Sequence, residues 1–303
     1  MTAAPRMTSL DWIWLLTLSV LWGGSFLFGK MAVAELPPLT LVLARVGLAA
    51  LALLVVLRVL GITMPNDPRQ WRDFVGMGAL NNLIPFGLIF YGQIEIGVGL
   101  AAVINGMSPF WSALIARGLG VETLPPAKMI GVLVGFAGLA VMIGPTALAG
   151  LDASLIAQLA VVGATIAYGC AAVFGRRFRG QPPMVTATGQ LTASTLLVLP
   201  LALLVDAPWT LPMPSAMAIG ATVALALLST AWAYILFFRI LARAGATNVL
   251  LVTLLVPVSA MLLGVAFLGE IITSREIAGM AAIAIGITLI DGRLIARRAK
   301  APT

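Results

Sequence analysis

Ten apolar runs of about 18–24 residues divide this sequence, at approximately 12–34, 38–60, 72–94, 98–118, 127–146, 154–175, 184–205, 215–238, 246–268 and 276–295. Each is long enough to cross a hydrocarbon core roughly 30 Å thick as an α-helix. A soluble fold could not bury them: the chain is 61% hydrophobic and 10% charged, against about 25% charged in soluble domains. In lipid every backbone polar group must be satisfied internally, which leaves helices or a closed barrel. The short alternating segments of a barrel strand are not visible. The expected fold is an all-α polytopic membrane protein with ten transmembrane helices. Prolines punctuate the short links, at Pro37-Pro38, Pro65 to Pro68, Pro125-Pro126, Pro182-Pro183 and Pro212 to Pro214. The first run superficially resembles a signal peptide ending at Ala32-Val33-Ala34. From Trp12 to Phe28 it exceeds the usual apolar core of about 7–15 residues, so it reads as a retained helix.

The basic residues orient these spans. Placing the N-terminus in the cytoplasm puts Arg6, Arg58, Arg69, Arg72, Arg117 and Lys128 inside, followed by Arg176, Arg177, Arg179, Arg239 and Arg243. Arg293, Arg297, Arg298 and Lys300 join them at the end, leaving Lys30 and Arg275 outside and Arg45 within a span. So strong a bias predicts a multi-pass protein of the cytoplasmic (inner) membrane with both termini cytoplasmic. It also accounts for the net charge of +7 without a nucleic-acid partner. The lipid bilayer is the partner the composition requires, and a monomer is expected.

The stretch WGGSFLFGK, residues 22–30, places adjacent glycines inside a span, although each costs a helix roughly 1 kcal/mol against alanine. Its pattern returns as YGCAAVFGR, residues 168–176. At an offset of 146, Trp22 faces Tyr168, Gly23 faces Gly169, Phe28 faces Phe174 and Lys30 faces Arg176. At 148, Phe90 pairs with Phe238, Gly97 with Gly245, Pro109 with Pro257 and Glu122 with Glu270. Gly131 with Gly279, Gly138 with Gly286 and Gly144 with Gly292 carry the register to the end. Two units are expected, residues 1–150 and 151–303, of five helices each. Five is odd, so the second unit enters the membrane from the opposite side. Inverted repeats of this kind are a hallmark of secondary transporters, with the substrate site near the midplane between repeats. The expected architecture is two inverted five-helix repeats around a central cavity.

WGGSFLFGK, the arginine of ARVGLAALALL, MSPFWSALIARGLGVETL ending in Glu122, and its echo LLVPVSAMLLGVAFLGE resemble the drug/metabolite transporter superfamily. They are similar to its EamA family of tandem units, over essentially the whole chain. The resemblance implies a ten-helix carrier working by alternating access, commonly an exporter of amino acids or other small metabolites. Within that group the chain resembles the YddG-like aromatic amino-acid exporters.

Counting residues at 1.5 Å each from the span ends brings Trp22, Ser25, Asn81, Asn82, Trp111, Tyr168, Ser229, Thr230, Trp232 and Tyr234 to useful depth as candidate substrate-binding residues. Polar side chains at that depth either bond another helix or face a wet cavity, and the aromatics offer broad stacking faces. Adjacent residues on a helix diverge by about 100°, so Asn81 and Asn82 need not both line a cavity. Arg45 is a candidate carboxylate contact; alternatively it bonds backbone carbonyls, or pairs with Glu95 or Glu270. Pro109 and Pro257 remove equivalent backbone bonds and are candidate hinges. Glu122 and Glu270 occupy equivalent helix ends and suit gating or helix-end bonding.

No catalytic residue and no cofactor is expected, because there are no histidines, one cysteine (Cys170) and no intramembrane carboxylate pair. A metal site is unexpected on the same grounds. The preferred function is export of small neutral or zwitterionic metabolites, hydrophobic and aromatic amino acids above all. The alternatives are proton-coupled export of drugs or of nucleoside- or sugar-type metabolites, and, more remotely, a passive channel. No acid lies between Asp11 and Glu35, where related small multidrug carriers use a helix 1 glutamate. Protons remain a candidate coupling ion without an assigned carrier residue.

Overall fold

The structure is a computed structural model describing residues 7–144, 152–249 and 251–291. Arg6, Gly292, Arg293, Arg297, Arg298, Lys300 and the expected unit boundary at 150/151 lie outside the described residues. Ten helical segments follow one another among those described. They are α1 (Ser9–Val33), α2 (Pro38–Val59), α3 (Pro68–Glu95), α4 (Val98–Gly118) and α5 (Pro126–Ile143). Then come α6 (Ala153–Phe174), α7 (Pro183–Asp206), α8 (Ala216–Ala244), α9 (Val252–Leu268, led by a helical turn at Ala246–Val249) and α10 (Ser274–Asp291).

Local chemistry sets these limits. Proline opens α2, α3, α5 and α7, where its missing N–H would have had no helical partner anyway. A capping box of Thr8 and Asp11 starts α1, and Ser215 caps α8. Gly144 at φ 70° ends α5 and Gly269 at φ 65° ends α9, a left-handed backbone that a β-carbon would oppose. Seven of the helices are long and apolar enough to cross a membrane by themselves; Lys128–Ile143 and Val252–Leu268 are shorter apolar stretches. α10, at 18 residues, extends about 27 Å.

The helices pack with pseudo-two-fold symmetry. α1 packs on α8 and α9, while its counterpart α6 packs on α3 and α4; α2 meets α7, α4 meets α9 and α5 meets α10. The glycines make these approaches possible. A β-carbon at Gly23 would stand 2.8 Å from the Ala260 backbone nitrogen in α9, and one at Gly169 would stand 3.0 Å from that of Ser112 in α4. Between α5 and α10 the contacts are reciprocal: Gly131 and Gly286 each press on the other's carbonyl, as do Gly138 and Gly279. Small residues of this kind let helix backbones meet where the hydrophobic effect supplies no drive.

Contacts between helix ends define two faces. Asp11 of α1 meets Arg243 of α8, Asp73 of α3 meets Arg177, and Glu122 meets Arg176. On the opposite face the Lys30 Nζ donates to the carbonyls of Gln93 and Ile94, and the Asp206 carboxylate accepts from the backbone and hydroxyl of Thr40. There too the Ser215 hydroxyl donates to Glu35. The start of α1 thus shares a face with the end of α6, and the two five-helix units run in opposite senses. Outward-facing surfaces carry Leu204, Phe267 and Leu51, all exposed, as expected where the solvent is lipid.

Candidate functional site

Two breaks in helical register build the centre of the molecule. α3 passes through a π-helical turn at Ala79–Leu83 and α8 through another at Leu227–Trp232, which the repeat offset of 148 superimposes. A π-turn widens the helix by one residue and re-aims the side chains it carries; such turns concentrate at functional sites. Here it separates neighbours. Asn81 faces a central cavity, whereas Asn82 is fully buried behind it and donates from Nδ2 to Ser194 Oγ at 2.9 Å. Asn82 therefore ties α3 to α7 and does not line the cavity.

The cavity has a volume of about 500 Å³ and contains two polar clusters related by the repeat. In the first, Arg45 is buried in α2, its Nε donating to Thr230 Oγ1 at 3.0 Å and its guanidinium lying 3.6 Å from the centre of the Phe86 ring. Neither Glu95 nor Glu270 pairs with it. In the second, Gln190, the counterpart of Arg45, sits with Tyr234, the counterpart of Phe86. Asn81 Nδ2 donates to Gln190 Oε1 at 3.2 Å and to the Tyr234 oxygen at 3.3 Å, and Gln190 Nε2 reaches the same oxygen at 3.4 Å. Tyr234 stacks on Phe238, and Trp22 lies 5.5 Å from Phe237.

Most of the residues expected from the sequence meet here. Trp22, Ser25, Asn81, Tyr168, Ser229 and Thr230 line the cavity, as do Arg45, Tyr234, Pro109 and Pro257. Two more, besides Asn82, do not. Trp111 packs edge-on against Phe136 of α5, ring centres 5.0 Å apart. Trp232 stands 52% exposed on the outer surface, because the π-turn rotates it away from Ser229 and Thr230. The prolines also differ: α4 is interrupted just ahead of Pro109, between Asn105 and Ser108, while Pro257 lies inside continuous helix. Glu270 caps α4, its carboxylate accepting from the backbone N–H groups of Val98 and Gly99 at 2.6 and 3.1 Å. Glu122 instead pairs with Arg176.

Asn105 and Gln190 also line the cavity and were not among the expected binding residues. The sequence did carry a signal for Asn105, whose repeat partner is Thr253: two polar residues at equivalent places in apolar helices. Asn105 Oδ1 and Ser229 Oγ are buried and lack a hydrogen-bond partner among the described residues, which leaves both available to a ligand. α5 and α10 contribute nothing to the lining; they form a peripheral pair.

The lining is lopsided. It extends past mid-depth to Met77, Gly175, Phe178 and Thr186, residues near the face that bears Arg176 and Arg177. No lining residue comes from the opposite ends, where Lys30 and Glu270 hold α1 to α3 and α9 to α4. The cavity runs from mid-depth toward one face and stops short of the other, with polar groups at its inner end.

The sequence signature of the EamA-like transporter family matches residues 11–144 and again residues 155–291. The chain belongs to the EamA-like transporter family. Relatives similar over nearly their whole length include the "Probable terminal-alkyne amino-acid exporter" of Streptantibioticus cattleyicolor, 26% identical over 96% of this chain and 97% of its own. "Protein PecM" of Dickeya dadantii is 26% identical over 92% of each chain. The "Uncharacterized transporter YoaV" of Bacillus subtilis is 23% identical over 90% of this chain and 94% of its own. A crystal structure at 22% identity superposes with a TM-score of 0.67 over 97% of this chain and 100% of that one, and so shares this fold. The chain is a transporter, not an enzyme.

Proposed function

We propose that this chain is a secondary carrier that exports small apolar or aromatic carboxylate-bearing metabolites, hydrophobic amino acids among them, by alternating access. The observation that carries this reading is the cavity between the repeats, with Arg45 buried inside it and matched by no acidic side chain in the lining. Burying a cation costs roughly 2.5–3.5 kcal/mol at mid-membrane, and a substrate carboxylate would offset that cost by a charge-assisted hydrogen bond. The rings of Trp22, Phe237 and Phe238 suit an apolar or aromatic body. Units 1–150 and 151–303 would rock against each other around this site, and the peripheral α5–α10 contact would hold them together.

The basic excess of the sequence makes the Arg176 face cytoplasmic. The cavity then opens toward the cytoplasm, the loading state for an exporter, and Arg176 and Arg177 at that face draw anions toward the opening. The export activity named for the Streptantibioticus relative supports the same direction.

The test is transport by purified protein in liposomes, using labelled phenylalanine and tryptophan. Saturable uptake with acceleration by unlabelled substrate on the far side is expected. A channel would show neither saturation nor acceleration. No uptake above empty liposomes for either amino acid would remove the amino-acid assignment and leave the fold standing.

A further inference from the structure

The two polar clusters are equivalent in position and opposite in chemistry. Arg45 keeps the ends of its guanidinium available, since only Nε is bonded to a side chain, at Thr230. Ser229, next to Thr230 on the π-turn, has a buried hydroxyl without a partner among the described residues. That half of the cavity presents donors to an anion. The other half is neutral, and the direction of its hydrogen bonds is legible. The Tyr234 oxygen already accepts from the amides of Asn81 and Gln190, so its own proton is left to donate. A group seated there must accept that proton.

An ammonium has three donors and no acceptor. It therefore cannot use Tyr234; the acceptor left to it is the neutral amide oxygen of Asn105, and among the described residues no Asp or Glu lines the cavity to balance its charge. The acids at the helix ends are engaged elsewhere: Glu270 on the α4 backbone, Glu122 on Arg176 and Asp73 on Arg177. One cation in a low-dielectric cavity is balanced by one anion, and an added unpaired ammonium is expensive. We infer that the site selects a monocarboxylate whose second polar group is a neutral oxygen, a 2-hydroxy or 2-oxo acid with an apolar or aromatic body, over the corresponding amino acid. The carboxylate binds Arg45, and the hydroxyl or keto oxygen accepts from Tyr234. The inference rests on the cavity and on the role of Arg45 argued above, and it narrows the substrate class.

The experiment is competition in liposomes against counterflow of labelled phenyllactate, using phenyllactate, phenylpyruvate, 3-phenylpropionate, phenylalanine and phenethylamine. Phenyllactate and phenylpyruvate should compete at least tenfold more tightly than phenylalanine, and phenethylamine should not compete. Arg45→Gln, which copies the residue of the second repeat, should weaken every acid at least tenfold, and Arg45→Lys should restore part of the loss. Tyr234→Phe should weaken phenyllactate three- to tenfold and leave 3-phenylpropionate unchanged, a selective effect that misfolding would not produce. Phenylalanine competing as tightly as phenyllactate overturns the inference and leaves the carboxylate carrier intact. Saturable phenylalanine counterflow with no phenyllactate counterflow overturns it in the same way. Absence of counterflow for every acid overturns both readings.

Discussion

Arg45 and Gln190 hold equivalent places in α2 and α7, and comparing their surroundings separates what the repeat preserves from what it has let diverge. Much of the backbone frame is preserved: the paired π-turns of α3 and α8, the Gly23 and Gly169 approaches, and the swapped helix pairings, although α4 breaks ahead of Pro109 where α9 runs on, and α7 but not α2 ends in a π-turn. Side-chain chemistry is not. Phe86 under a guanidinium becomes Tyr234 beside an amide, and Ser229 becomes Asn81. A frame that must look similar from both sides of a membrane constrains close packing in both halves alike. A substrate has two different ends and needs no such equality. The helix-end acids diverge too, with Glu270 partly buried in a backbone cap and Glu122 half-exposed beside Arg176. That second asymmetry accompanies the lopsided cavity, which reaches toward the Arg176 face and stops short of the Glu270 face.

Three perturbations test this division between a shared frame and unlike contents. The largest effect is expected from Gly23→Leu and Gly169→Leu. Each forces a side chain into a neighbouring backbone and should destabilise by about 3 kcal/mol or more, read as thermal unfolding in detergent. If the frame is shared, the two losses will agree within about 1 kcal/mol; a near-neutral Gly169→Leu would break the comparison. Next come the acids. Glu270→Gln weakens a charge-assisted cap by about 1–2 kcal/mol, shifting the ratio of the two access states roughly 5- to 30-fold. Glu122→Gln removes an exposed pair worth about 0–1 kcal/mol. Labelling of Ile96→Cys, on the Glu270 face, in a Cys170→Ala background reads the shift, and equal labelling of the two variants would deny that Glu270 is a latch. The smallest effect is expected from Trp232→Ala. Trp232 and its counterpart Ile84 are both exposed on the outer surface, so transport should stay within about twofold of the parent. A tenfold loss would place the indole in the substrate path.

Two of the three residues whose facing the sequence did not reveal, Asn82 and Trp232, share one cause; Trp111 is instead turned onto Phe136 of α5. Depth along a helix follows from counting, and counting brought Asn82, Trp111 and Trp232 to the same level as the residues that line the cavity. Facing does not follow from counting when the helix changes pitch. The π-turns at Ala79–Leu83 and Leu227–Trp232 shift the angular register by a residue, turning Asn82 inward toward Ser194 and Trp232 outward. Neither turn has a composition signature. The one hint is the pair of adjacent polar residues that each contains. Asn105 was findable, since it and Thr253 form a repeat-related polar pair, whereas the role of Gln190 depends on Tyr234 and Asn81, which lie far from it in sequence.

Apolar run length determined the membrane-spanning helices, because lipid leaves the backbone no other partner than itself. The internal register determined the repeat, and an odd number of spans per unit determined its inversion. Those are one-dimensional properties, and a one-dimensional string contains them. Only the tertiary structure decided which of two adjacent polar residues meets the cavity, where Arg45 finds its hydroxyl partner, and which face the cavity reaches toward. Each of these turns on a contact between helices from opposite repeats, or on a change of helical pitch within one, and neither is written in the order of residues along a single span.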